Sequence, residues 1–100
     1  MDIKCVEEGD NLVVSIIGSI DMNNISYLKE YLGRAVNTDK KNLVIDMNEV
    51  TYIDSSGLGI FIVTLKKFQS RGGKFSLRNV SDQLKQIFVL THLYDLFHFE

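Results

Sequence analysis

The sequence predicts an α/β fold: a small mixed, mostly parallel sheet that follows an N-terminal hairpin, with helices mainly on one face. Three observations predict it. Two strand-like segments flank turn chemistry at the N-terminus, and strands then alternate with helical periodicity. Successive right-handed crossovers that advance in one direction must also leave their helices on one side of the sheet.

Residues 3–7 and 11–17 read as strands, joined through Glu8-Gly9-Asp10-Asn11 as a hairpin. Cys5 alternates within the first strand as a small buried hydrophobe. Leu12-Val13-Val14-Ser15-Ile16-Ile17 is nearly continuous and β-branched, the pattern of a strand buried on both faces. Gly18-Ser19-Ile20-Asp21 reads as a turn. From about Asn24 to Val36, Ile25, Leu28, Leu32, Ala35 and Val36 recur at helical spacing. Leu43 to Met47 is a short buried strand, succeeded by Asn48 to Ile53 and then Asp54-Ser55-Ser56-Gly57-Leu58-Gly59. A second helix is expected from about Ser56 to Ser70, with Gly72-Gly73 as its stop. Phe75 and Leu77 alternate with polar residues as a half-buried strand. Ser81-Asp82 caps a third helix that turns Leu84, Ile87 and Phe88 inward, and Phe97-His98-Phe99 forms a last short strand.

Composition narrows the function. One hundred residues make one domain, 1–100, with room for a modest core but not for a core plus a deep cleft. Eleven Lys and Arg against thirteen Asp and Glu give a net charge of −2, which excludes a strongly basic nucleic-acid binder. The densest apolar run, Leu58 to Leu65, is far shorter than the roughly 18 residues of a membrane span. The start, Met-Asp-Ile-Lys, carries no signal-peptide pattern, and the lone Cys5 implies no disulfide, so the expected setting is the cytoplasm. His92 and His98 have no Cys or acidic neighbour at metal-ligand spacing, and they read as surface or packing residues. Gly57-Leu58-Gly59 lacks both the lysine of a phosphate loop and the third glycine of a dinucleotide loop.

Chemistry therefore concentrates at Asp54 to Gly59, a strand-to-helix junction. One reading is a helix cap. A second is a serine nucleophile, which would need an activating base, and the two histidines are distant in sequence. A third is regulatory: a serine at a helix N-terminus carries a phosphate without unfolding the domain, its charge met by free N–H groups and the helix dipole. Along the adjoining helix, Leu58, Phe61, Ile62, Leu65 and Phe68 fall on one side. Gly59, Ile60 and Val63 fall on the other, beside Lys66 and Lys67. That second stripe is either an interaction surface or a face covered by a neighbouring helix.

Val44 to Gly59, with its core Asp54-Ser55-Ser56-Gly57-Leu58-Gly59, resembles the signature of the bacterial anti-sigma factor antagonists. These belong to the STAS domains, named for sulphate transporters and anti-sigma antagonists. Gly18-Ser19-Ile20-Asp21 resembles the family's other motif. The resemblance implies a STAS-like fold over nearly the whole chain and a phosphorylated serine at Ser55, with Ser56 the nearest rival and Asp21 beside it. It also implies a partner-switching cycle. The unmodified protein binds an anti-sigma factor that is an ATP-dependent serine kinase, and a sigma factor is released. Phosphorylation ends binding, and a serine phosphatase restores it. ATP is bound by the partner, so no cofactor of the chain's own, no metal and no catalytic residue is implied. The partner-facing set is then Asp21, Asp54, Ser55, Ser56, Gly57, Gly59, Ile60 and Val63. Two other classes stand beside this one: a STAS module in a stressosome-like or transport assembly, and a small enzyme using Ser55.

Overall fold

The structure, a computed structural model covering residues 1–100, begins with β1 (Asp2–Glu8), β2 (Asn11–Ile20), α1 (Ile25–Val36) and β3 (Asn42–Ile53). It continues through α2 (Ser55–Ser70), β4 (Phe75–Arg78), α3 (Asp82–Leu90), a 3₁₀ turn (Tyr94–Leu96) and β5 (His98–Phe99). One five-stranded sheet runs β1-β2-β3-β4-β5. The β1–β2 pair is antiparallel and every later pair is parallel. Each crossover advances one strand in the same direction, so the three helices share one face. Leu12, Val14, Ile16, Leu43, Ile45, Phe75 and Leu77 line that face and join buried residues of all three helices in one core.

Several expectations change in detail. Residues 18–21 are not simply a turn, because β2 continues to Ile20. Gly18, at a φ of 108°, lets the strand shift register against β3 before Ile20 pairs with Ile53. The strand expected over Leu43–Met47 extends to Ile53 because β2 pairs with its distal half. β4 pairs only with Leu43 to Asp46, so Asn48 and Glu49 lie beyond the β4 ladder, exposed and polar. β2 has a helical layer on one face alone. Val13 and Val44 lie outside the core cluster, yet they are almost fully buried. Cys5 is exposed rather than buried, because β1 is an edge strand.

The helix ends have identifiable locks. The Ser81 hydroxyl accepts from the Leu84 N–H at 3.1 Å and starts α3 as expected. Arg71, at the end of α2, donates to the carbonyls of Val36 and, at 2.6 Å, Lys40, and it stacks 4.2 Å above Phe68. Its charge thereby meets orphan carbonyls at and just beyond the C-terminus of α1. Phe61 is fully buried, with ring centroids 5.9 Å from Phe75 and 6.4 Å from Phe97. No helix is long and apolar enough to cross a membrane.

Phe61→Ala should cost about 3–5 kcal/mol, as for other buried aromatic truncations. Equilibrium urea unfolding measures it, and a loss under 1 kcal/mol, against that roughly 3–5 expected, would remove Phe61 from the centre of the core.

Candidate functional site

β2 and β3 run parallel and finish at the same rim of the sheet, so the segments leaving the two strands emerge side by side. After β2 comes the loop Asp21 to Asn24; after β3 comes Asp54 and the first turn of α2. The Asp54 N–H donates to the Ile20 carbonyl at 3.0 Å, which extends the ladder by one bond.

The Asp54 side chain then serves both segments. Its Oδ1 accepts from the Ser56 N–H at 3.0 Å, the Gly57 N–H at 3.3 Å and the Ser56 hydroxyl at 2.5 Å. Its Oδ2 accepts from the Met22 N–H at 3.2 Å. Asp54 is thus the N-cap of α2 and the clasp holding the β2–α1 loop. The Ser56 hydroxyl bond, joined by the Gly57, Ser56 and Met22 amides, outweighs partial desolvation and lowers the pKa below the ordinary 3.8.

The two adjacent serines have different fates. The Ser56 hydroxyl is bound to Asp54, whereas Ser55, the first residue of the helix, is exposed. Of the first-turn N–H groups expected to meet a phosphate here, Asp54 already occupies those of Ser56 and Gly57, which leaves the N–H of Ser55 itself. A phosphate on Ser55 would find a carboxylate at the cap and a single open N–H, and would turn largely to water.

Asp21 reaches this rim, but its carboxylate shapes its own loop. Oδ2 accepts from the Ser19 hydroxyl at 3.1 Å and Oδ1 from the Asn23 N–H at 2.9 Å. Asn24 completes the loop, accepting from the Asp21 N–H at 2.9 Å and donating to the Ser19 carbonyl at 2.7 Å. Sequence reading missed Asn24 and Met22. The Asp21-x-x-Asn24 spacing was an available turn signal. Nothing marked Met22, whose side chain is 78% exposed at the loop tip.

Of the other expected contact residues, Gly59 is exposed, Val63 is 49% exposed and Ile60 is half-buried. Gly57 does not join them. It is buried, and a Cβ on it would stand 2.6 Å from Ile20 Cγ2 and 2.8 Å from Ile53 Cγ1. It is a packing glycine that seats α2 on the ends of β2 and β3. Gly59 and Gly33 have open space where a Cβ would be added, so neither is needed for packing, although each costs a helix interior about 0.5–1 kcal/mol relative to alanine.

The remaining reactive groups lie elsewhere. His92 and His98 are both exposed. His98 stands level with Ser76 and so with Val44, well before the Ile53 end that carries Ser55. Desolvation, with a contribution from Glu7, raises the Cys5 thiol above its ordinary 9.0 despite a hydrogen bond with Tyr31, so it is protonated at neutral pH.

Two measurements check this geometry by chemical denaturation. Gly57→Ala should destabilise by about 1–3 kcal/mol through overpacking, whereas Gly59→Ala should stabilise by up to about 1 kcal/mol. For Asp54, a lowered folded pKa means its stabilisation is complete above the unfolded value of 3.8 and is lost as pH falls through the lower folded value. Asp54→Asn keeps a capping oxygen without the titration. The stability gap between wild type and Asp54→Asn should therefore shrink below pH 3.8; a constant gap would show that the charge contributes nothing.

The STAS domain family model matches residues 2–100. An anti-sigma-B factor antagonist of Bacillus subtilis is 33% identical over 96 residues, which cover 96% of this chain and 85% of that one. A solved anti-sigma factor antagonist of Mycobacterium paratuberculosis is 26% identical with a TM-score of 0.89, covering 98% of this chain and 83% of that one. The Bacillus cell fate determinant SpoIIAA in its phosphorylated form is 15% identical and shares the fold at a TM-score of 0.74, covering 99% of this chain and 91% of that one. With a family match running from the first strand to the last residue, and a relative a third identical over almost the same span, the chain belongs to the STAS domain family.

Proposed function

We propose that this protein is an anti-sigma factor antagonist switched by phosphorylation of Ser55. Unmodified, it binds an anti-sigma factor that is also an ATP-dependent serine kinase, and a sigma factor is set free. The kinase transfers a phosphoryl group to the Ser55 hydroxyl and binding ends; a serine phosphatase reverses the modification. The setting is the cytoplasm, where sigma factors work. The relatives' names support the antagonist role. SpoIIAA is known in both an unphosphorylated and a phosphorylated form, which supports the switch.

The observation that carries the reading is the contrast between the two serines: Ser56 is committed to Asp54, and Ser55 stands exposed beside it. The chain is a substrate in this cycle rather than a catalyst. The two carboxylates at the rim are both engaged in hydrogen bonds that shape it, so the base that takes the Ser55 proton comes from the kinase.

Phosphate adds about −1.5 to −2 charge at pH 7. On the free domain water solvates it, so the fold persists. Against a partner surface fitted to a hydroxyl, the same charge is stripped of water at a cost of several kcal/mol, and each 1.4 kcal/mol is about tenfold in affinity.

Phosphorylation should therefore weaken binding to the host anti-sigma kinase by at least roughly a hundredfold, with an unchanged circular dichroism spectrum. Ser55→Asp should reproduce part of the loss, and Ser55→Ala should bind constitutively and resist modification. Titration calorimetry and mass spectrometry after kinase treatment test this. A phosphate found on Ser56, or phosphorylated protein that binds as tightly as the unmodified form, would sink it.

A further inference from the structure

A groove of about 230 Å³ runs between α1 and α2 on the outer side of the helical layer, lined by Lys29, Gly33 and Val36 from α1 and Ile60, Val63 and Lys67 from α2. Its lining holds a lysine on each wall and no carboxylate. Glu30, the acid next along α1, is within ion-pair range of Arg34 at 3.9 Å. Gly33 has a regular helical backbone and nothing within 4 Å of where a Cβ would stand, so the fold gives no reason for it. A glycine on a groove wall permits close approach of another backbone. The groove also takes in Ile60 and Val63, which follow Ser55 by five and eight residues on the same helix and belong to the expected partner-facing set.

We infer that this groove receives an amphipathic helix of the anti-sigma partner, apolar at its centre and acidic where it meets Lys29 and Lys67, with Gly33 as the point of closest approach. This rests on the antagonist reading above. Ile60 to Lys67 spans two helical turns, about 10 Å, which suits a third helix laid between two. An extended peptide would instead seek a sheet edge, and those lie at β1 and β5. The glycine permits close backbone packing. The lysines, opposed by no acid of this chain, supply attraction and register.

The test measures binding of the full, unphosphorylated chain to the host's anti-sigma factor kinase. Gly33→Ala should raise the melting midpoint by about 4 °C and lower affinity roughly tenfold; Gly33→Gln should lower it further. Lys29→Glu/Lys67→Glu should weaken binding at least roughly tenfold and flatten its salt dependence, while Lys4→Glu/Lys74→Glu should not. A photo-crosslinker in place of Val63 should capture an acid-flanked helix of the kinase. Capture of a basic or extended segment overturns the inference. So do Gly33 and lysine variants that bind like wild type while Ser55→Asp does not, an outcome that leaves the Ser55 switch standing. If the wild type neither binds nor is phosphorylated, both readings fall.

Discussion

The parallel pairing of β2 with β3 is the constraint on which the rest of the molecule depends. Its register begins at Asn11 opposite Asn42, shifts twice, and ends at Ile20 opposite Ile53, both fully buried. Because the strands are parallel, their exits coincide, and the loop after one is brought against the helix after the other. Asp54 turns this proximity into a fixed geometry with one backbone bond and one carboxylate. Gly57 then lets α2 settle onto the two isoleucines. A site built this way inherits the rigidity of the core, although every residue that a partner would touch lies in a loop or on an outer face.

This arrangement separates holding from reading. The first turn of a helix offers unpaired N–H groups and a positive dipole end, which would ordinarily draw an anion inward. Here an internal carboxylate already occupies that position. A phosphate on the neighbouring serine would find only that serine's own N–H open at the cap and would remain largely hydrated and projecting. Such a group changes what the surface presents without changing what lies beneath it, which suits a signal meant for a second protein.

Much of this was legible in the residues. The hairpin, the alternation of strand and helix, the Ser81 cap and the one-sided helical layer arise from periodicity, turn chemistry and the handedness of crossovers. The failures share one cause: a residue's pattern reports its own chain and not its neighbours. Cys5 alternates correctly and pairs with buried Val14, yet β1 is an edge. Gly18 looks like a turn but carries a bulge, visible only once β3 lies alongside. Asn48 and Glu49 read as the end of a strand because β4 is too short to pair with them. At the site, Gly57 and Gly59 are indistinguishable in sequence; two isoleucines beneath one and open space beside the other separate them.

The order of strands across the sheet is the order of strands along the chain. No strand is inserted between two that already pair, so the sheet grows at a single advancing edge, the hairpin first and each helix-linked strand after it. Contacts accordingly join consecutive elements, which keeps the loops that must close short and favours rapid folding. During synthesis, the β2–β3 ladder that positions the Asp54 rim can pair before β4 has left the ribosome. The second half of the protein then packs onto a sheet whose central ladder is already laid down.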